Sequence, residues 1–284
     1  VIAKLKLYSQ LVRLDKPIGI LLLLWPTSWA LFAAAQGMPD LHILIIFFLG
    51  TVLMRSAGCA MNDYFDRNVD PHVARTQHRV LATGSIKPRE ALIVAAILGL
   101  ASFLLVLFTN FLTIFLALIA ALLAITYPLF KRFFAIPQAY LGIAFGFGIP
   151  MGFAAIQQEI PPVAWLLLCA NIFWAIAYDT EYAMVDRDDD VRLGVKSSAI
   201  TFGRYDVLIV GLCYAITFIL LGIAGSWLEY SWMFYAALSV AAMFAAQHMN
   251  WIKGREPQAC FKAFLNNTWI GAVIFIGIAL EVLF

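Results

Sequence analysis

The stretch Phe111-Leu112-Thr113-Ile114-Phe115-Leu116-Ala117-Leu118-Ile119-Ala120-Ala121-Leu122-Leu123-Ala124-Ile125-Thr126-Tyr127-Pro128-Leu129 contains no Asp, Glu, Lys or Arg. As a helix it would extend about 28 Å, close to the thickness of a bilayer's hydrocarbon core. Runs of the same texture occur at 18–36, 41–61, 89–108, 137–157, 163–178, 206–224, 229–249 and 264–283, so nine transmembrane helices are expected. Pro39 and Pro161-Pro162 mark turns between them, and Pro88 and Pro137 mark helix starts. A membrane barrel would need alternating segments of about ten residues, and these are absent. The composition agrees: 63% of the 284 residues are hydrophobic and 13% charged, whereas a soluble domain is about half apolar and a quarter charged. Mean hydropathy is +0.88. The expected fold is therefore an all-α polytopic membrane bundle forming one domain over residues 1–284. Disordered, coiled-coil, disulfide-scaffold and free cytosolic classes are excluded.

The first span follows Lys4, Lys6, Arg13 and Lys16, and Ala33-Ala34-Ala35 looks like a signal-peptide cleavage site. Its apolar stretch is too long for such a peptide, so a retained helix is expected. The four cysteines, Cys59, Cys169, Cys213 and Cys260, have no CxxC spacing and suggest neither metal nor redox chemistry.

Net charge is only +2, but its distribution is informative. If loops alternate between two sides, one side takes the N-terminus and segments 62–88, 130–136, 179–205 and 250–263. Apart from Arg55 inside the second span, every Lys and Arg falls in these segments or at their edge, and the opposite turns have none. The basic side should be cytoplasmic. Two of its loops, 62–88 and 179–205, are long, and both open with an acidic run.

The first run is Asn62-Asp63-Tyr64-Phe65-Asp66-Arg67-Asn68-Val69-Asp70. If the span continues as a helix, Asn62, Asp66 and Asp70 share one face within about 80°, and Asp63 points elsewhere. The second is Asp179-Thr180-Glu181-Tyr182-Ala183-Met184-Val185-Asp186-Arg187-Asp188-Asp189-Asp190, where Asp179, Tyr182, Asp186 and Asp190 align in the same way. Carboxylates stacked at i, i+4 repel one another, and acidic side chains are disfavoured at helix C-termini. A solvated acidic cap therefore explains the two stripes poorly. Oxygen ligands without His or Cys suit a hard ion such as Mg²⁺ bridging to phosphate. Arg75, Arg79, Lys131-Arg132 and Lys196 supply the cationic donors a diphosphate needs. Arg55, in an apolar span seven residues before Asn62, calls for an anionic partner, either a protein carboxylate or a substrate's. A cation-coupled transporter is the rival class. It would place ionisable groups near mid-membrane with access from both faces, whereas here the charges lie at one face.

Together these residues resemble the UbiA family of intramembrane prenyltransferases. The NDxxDxxxD motif is matched by Asn62, Asp63, Asp66 and Asp70, and the second aspartate motif by Asp179 and Asp186 with Tyr182 between them. The opening Arg13-Leu14-Asp15-Lys16-Pro17-Ile18-Gly19, Gly58-Cys59 and Arg75-Thr76 look like the branch acting on 4-hydroxybenzoate. The segment Arg79-Val80-Leu81 departs from the expected Arg-Pro-Leu.

The resemblance implies a central cavity open to the cytoplasmic side and laterally to lipid. It implies two Mg²⁺ ions held by Asn62, Asp66, Asp70, Asp179, Asp186 and Asp190, with Asp66, Asp70, Asp186 and Asp190 serving catalysis. Arg75, Arg79 and Lys131 would bind the diphosphate, and Arg55 with Tyr182 the aromatic acid. The implied reaction transfers a polyprenyl group from polyprenyl diphosphate to 4-hydroxybenzoate, ortho to its hydroxyl, in ubiquinone biosynthesis. A different quinone-precursor acceptor is the alternative. A bacterial inner membrane is expected, with the N-terminus and site loops cytoplasmic and no nucleic acid or obligate protein partner.

Overall fold

The structure is a computed structural model that describes residues 2–130 and 132–284. Among them there is no strand. Eight helices are long and apolar enough to cross a membrane. In chain order, α1 is Ile2–Leu11, α2 Ile18–Ala35, α3 Leu41–Asp66, α4 Pro88–Val106, α5 Phe111–Phe130, α6 Pro137–Gly146 and α7 Gly148–Gln157. They are followed by α8 Pro162–Val185, α9 Arg187–Leu193, α10 Ser198–Phe202, α11 Asp206–Trp227, α12 Trp232–Ile252 and α13 Pro257–Leu283.

Each of the nine expected spans coincides with helix. α12, at the eighth, has 21 residues but is less apolar than the eight spanning helices; Gln247, His248 and Asn250 dilute it. The span expected over 137–157 is broken between α6 and α7 at Phe147. Pro150 cannot donate to the Gly146 carbonyl and its ring crowds that oxygen, so the turn opens there.

Wall and lining can be read directly on α5. Phe115, Leu118, Leu122 and Ile125 are exposed on one side, the surface lipid would cover. Ala117, Ala120, Ala121 and Ala124 line the interior cavity on the other. A helix apolar all round is thus divided by side-chain size. The main core lies among α2, α8, α11, α12 and α13, around fully buried Trp29, Trp174, Phe234 and Leu221. Its polar tips are satisfied between helices: Trp25 Nε1 donates to Thr268 at 3.1 Å, Trp29 Nε1 to the Gly271 carbonyl at 3.0 Å and Trp174 Nε1 to Asn267 at 2.9 Å. Such interhelical bonds average about 0.6 kcal/mol each in a membrane, so they fix register more than they supply stability.

Candidate active site

Both acidic motifs begin inside helices that run beyond the expected spans, α3 to Asp66 and α8 to Val185. Neither motif forms the continuous stripe expected from its spacing. The first breaks after Asp66, and Asp70 opens a 3-10 turn over Asp70–His72. Pro71 explains the break, since it has no N–H for the Arg67 carbonyl. The second breaks at Asp186, whose backbone (φ −97°, ψ 5°) lies between α8 and α9. Asp188, Asp189 and Asp190 then occupy the first turn of α9. Carboxylates disfavoured at the end of one helix are favoured at the start of the next.

The two motifs nevertheless meet. Asn62, Asp179, Tyr182, Asp186 and Asp190 line one cavity of about 400 Å³, together with Arg13, Arg55, Arg75 and Arg79. Away from this polar end the walls are Ile46, Phe47, Val106, Ala117 and Met151. Asp66 and Asp70 are not among the residues that line the cavity, and Asp70 is joined to the lining through Arg79.

The arginines bind the motifs together. Arg75 grips Asp186 with Nε to Oδ1 at 2.9 Å and Nη2 to Oδ2 at 2.5 Å. It also donates to the Tyr182 hydroxyl and lies over that ring, 4.2 Å from the centroid. The Ala74 amide donates to Asp189 at 3.0 Å, a second bridge between the loops. Arg79 donates to Asp70 at 2.8 and 3.0 Å and to Asp63 at 3.1 Å. Burial pushes the Asp70 carboxyl above the usual carboxylate range, and the Arg79 charge opposes that shift. Lys196 caps the Phe133 carbonyl at 3.0 Å, and Arg132 the Phe65 carbonyl at 3.2 Å. Lys131 lies outside the described residues.

Asp63 is the main residue the sequence reading passed over. It is buried and accepts from Arg13 at 2.5 Å as well as from Arg79. Arg13 arrives from the segment after α1, which is docked by Tyr8 donating to Glu90 at 2.7 Å. Only a long-range contact reveals this, because Arg13 and Asp63 are 50 residues apart in the chain. The spacing of the second motif assigns no role to Glu181 either. Wholly buried, it faces away from the cavity and accepts from Tyr214 at 2.9 Å and Asn267 at 2.8 Å. His248 joins that network through the Tyr214 hydroxyl at 3.1 Å and Asn266 at 3.0 Å.

Arg55 lines the cavity without a carboxylate in ion-pair distance among the described residues, and its sealed Nε has no hydrogen-bond partner. No three or more His, Cys, Asp or Glu side chains among the described residues form a ready-made metal cluster. The motif donors around the cavity are nonetheless all oxygens, the donor set of a hard divalent ion.

Residues 23–273 match the UbiA prenyltransferase family. This chain belongs to that family. Among curated UbiA-type relatives, the 4-hydroxybenzoate octaprenyltransferase of Azoarcus sp. (strain BH72) is 60% identical over 99% of this chain and 98% of its own length. The enzyme of the same name from Thiobacillus denitrificans (strain ATCC 25259 / T1) is 59% identical over 99% of this chain and 96% of its own. Solved structures share the UbiA fold. The apo structure of a UbiA homolog from Aeropyrum pernix K1 has a TM-score of 0.81 at 22% identity, covering 93% of this chain and 98% of that one. The UbiA homolog from Archaeoglobus fulgidus bound to GPP and Mg²⁺ has a TM-score of 0.72 at 19% identity, covering 97% and 99%.

Proposed function

We propose that this UbiA-family protein transfers a polyprenyl group from polyprenyl diphosphate to the ring carbon ortho to the hydroxyl of 4-hydroxybenzoate, an early step toward ubiquinone. One observation carries the reading: Asn62 of the first motif, Asp179, Asp186 and Asp190 of the second, and four arginines line a single cavity that continues between apolar residues such as Ile46, Phe47, Val106 and Met151. The names of relatives near 60% identity support the acceptor and an octaprenyl donor.

In this reading Asn62, Asp66 and Asp70 from one motif and Asp179, Asp186 and Asp190 from the other hold two Mg²⁺ ions. When bound, Mg²⁺ supplies Lewis-acid stabilisation of the departing diphosphate. Arg75, Arg79 and Lys131 donate to the remaining phosphate oxygens, charge-assisted bonds that strengthen as the C–O bond breaks. The allylic carbon then forms a C–C bond to the acceptor ring, and the ring proton at that carbon is lost. Arg55 holds the acceptor's carboxylate, where a planar guanidinium suits a planar anion. The Tyr182 ring forms the wall beside the acceptor. Apolar walls keep water from the reacting carbon, and the isoprenoid tail passes between helices into lipid. The polar end faces the cytoplasm across a bacterial inner membrane.

The test is incubation of purified protein with labelled 4-hydroxybenzoate, geranyl diphosphate and Mg²⁺. A lipophilic labelled product is expected, abolished by EDTA and restored by excess Mg²⁺. No product with this acid, but product with another aromatic acceptor, would transfer the assignment to that acceptor. Product formation indifferent to EDTA would remove the metal from the reading.

A further inference from the structure

Arg55 is held differently from the other arginines of the cavity. Arg13 has Asp63, Arg75 has Asp186, and Arg79 has Asp63 and Asp70. Arg55 instead rests on Gly19, a buried residue of α2 that lines the same cavity. A Cβ added at Gly19 would stand 2.2 Å from Arg55 Nη2, 2.4 Å from Nε and 2.6 Å from Cζ. Being nearer to both nitrogens than to the carbon joining them, this point lies off the Nε–Nη2 edge, not over the flat face. The guanidinium therefore sits edge-on against the glycine Cα, which accounts for the sealed, unpartnered Nε.

We propose that Gly19 is a positioning residue for Arg55: the missing side chain at position 19 lets the guanidinium lie where it can hold the acceptor's carboxylate. The inference rests on the role given to Arg55 above. α2 has little freedom to yield, because Trp25 and Trp29 tie it to α13. The tip of Arg55 is flexible, so any side chain at position 19 displaces that tip and leaves the helices in place. Gly19 thus acts on the acceptor through Arg55, having no side chain of its own to offer.

The test compares Gly19→Ala, Arg55→Ala and the double variant in Mg²⁺, measuring KM for 4-hydroxybenzoate, KM for geranyl diphosphate and thermal stability. Displacing a binding group by about 1 Å costs on the order of a hundredfold in rate in a tight site, so Gly19→Ala should raise the acceptor KM at least about tenfold. The donor KM should stay within about twofold. In the Arg55→Ala background, Gly19→Ala should add nothing, since the group it displaces is gone. If Gly19→Ala lowers thermal stability, Arg55→Ala should restore it for the same reason. An unchanged acceptor KM in Gly19→Ala, alongside a raised one in Arg55→Ala, overturns the positioning role alone. An effect of Gly19→Ala that persists without Arg55 also overturns it. If Arg55→Ala leaves the acceptor KM unchanged, the role of Arg55 falls first and this inference with it.

Discussion

Asp63 shows how much one side chain carries. It is the second residue of its motif, buried, and accepts from two guanidinium groups delivered by different segments. Removing one partner of a buried ion pair costs about 3–5 kcal/mol, because the charges left behind remain desolvated. Asp63→Ala should therefore lower thermal stability clearly and reduce turnover through misplacement of Arg79. Asp186→Ala should behave in the opposite sense. Its pair with Arg75 is partly exposed and worth about 1 kcal/mol or less, yet Asp186 is a proposed metal ligand. Turnover should vanish while the melting temperature hardly moves. Thermal unfolding and product assays on both variants separate the roles, and full activity from Asp186→Ala would remove it from the ligand set.

At the scale of elements, α8 and the break that follows it set the second motif. Glu181 locks the rotation of α8 against α11 and α13, turning Tyr182 and Asp186 toward the cavity. Beyond the break, Arg187 pairs with Asp206 and donates to the Ala199 carbonyl at 3.0 Å. Arg255 approaches the same carboxylate at 2.7 Å. Asp206 thus clamps the start of α9 to the head of α11 and the turn before α13. Asp206→Ala should accelerate amide exchange over residues 186–206 and raise the KM for prenyl diphosphate, with little change for the acceptor. Exchange at the wild-type rate would mean that α9 is held by other contacts.

Over the whole molecule, lipid-facing and cavity-facing surfaces follow from helix packing, whereas sidedness follows from charge. With cysteine probes in a background lacking the native four, Arg192→Cys and Lys253→Cys should react with an impermeant reagent only from the cytoplasmic side. Gln158→Cys and Glu229→Cys should react only from the other. The reverse pattern would put the site on the wrong face for a cytosolic diphosphate. The spans were legible along the chain because twenty apolar residues have one economical fate in a bilayer. The candidate ligands were legible because oxygen donors repeated at helical spacing have few other uses. Their expected continuous stripes were not found, since Pro71 and the run Asp188-Asp189-Asp190 end each helix early.

The sequence by itself carried the membrane class, the apolar runs that become helices and the motifs by which the chain resembles its family. All of these are written in local composition and short-range spacing, which act before any long-range contact forms. Only the tertiary structure decided which cation meets which carboxylate, that Asp63 is an anchor, and that Gly19 makes room for Arg55. The links Gly19–Arg55, Arg13–Asp63 and Arg75–Asp186 join residues 36, 50 and 111 positions apart. Such partners are chosen by the way helices pack in three dimensions, and no periodicity along one chain encodes that choice.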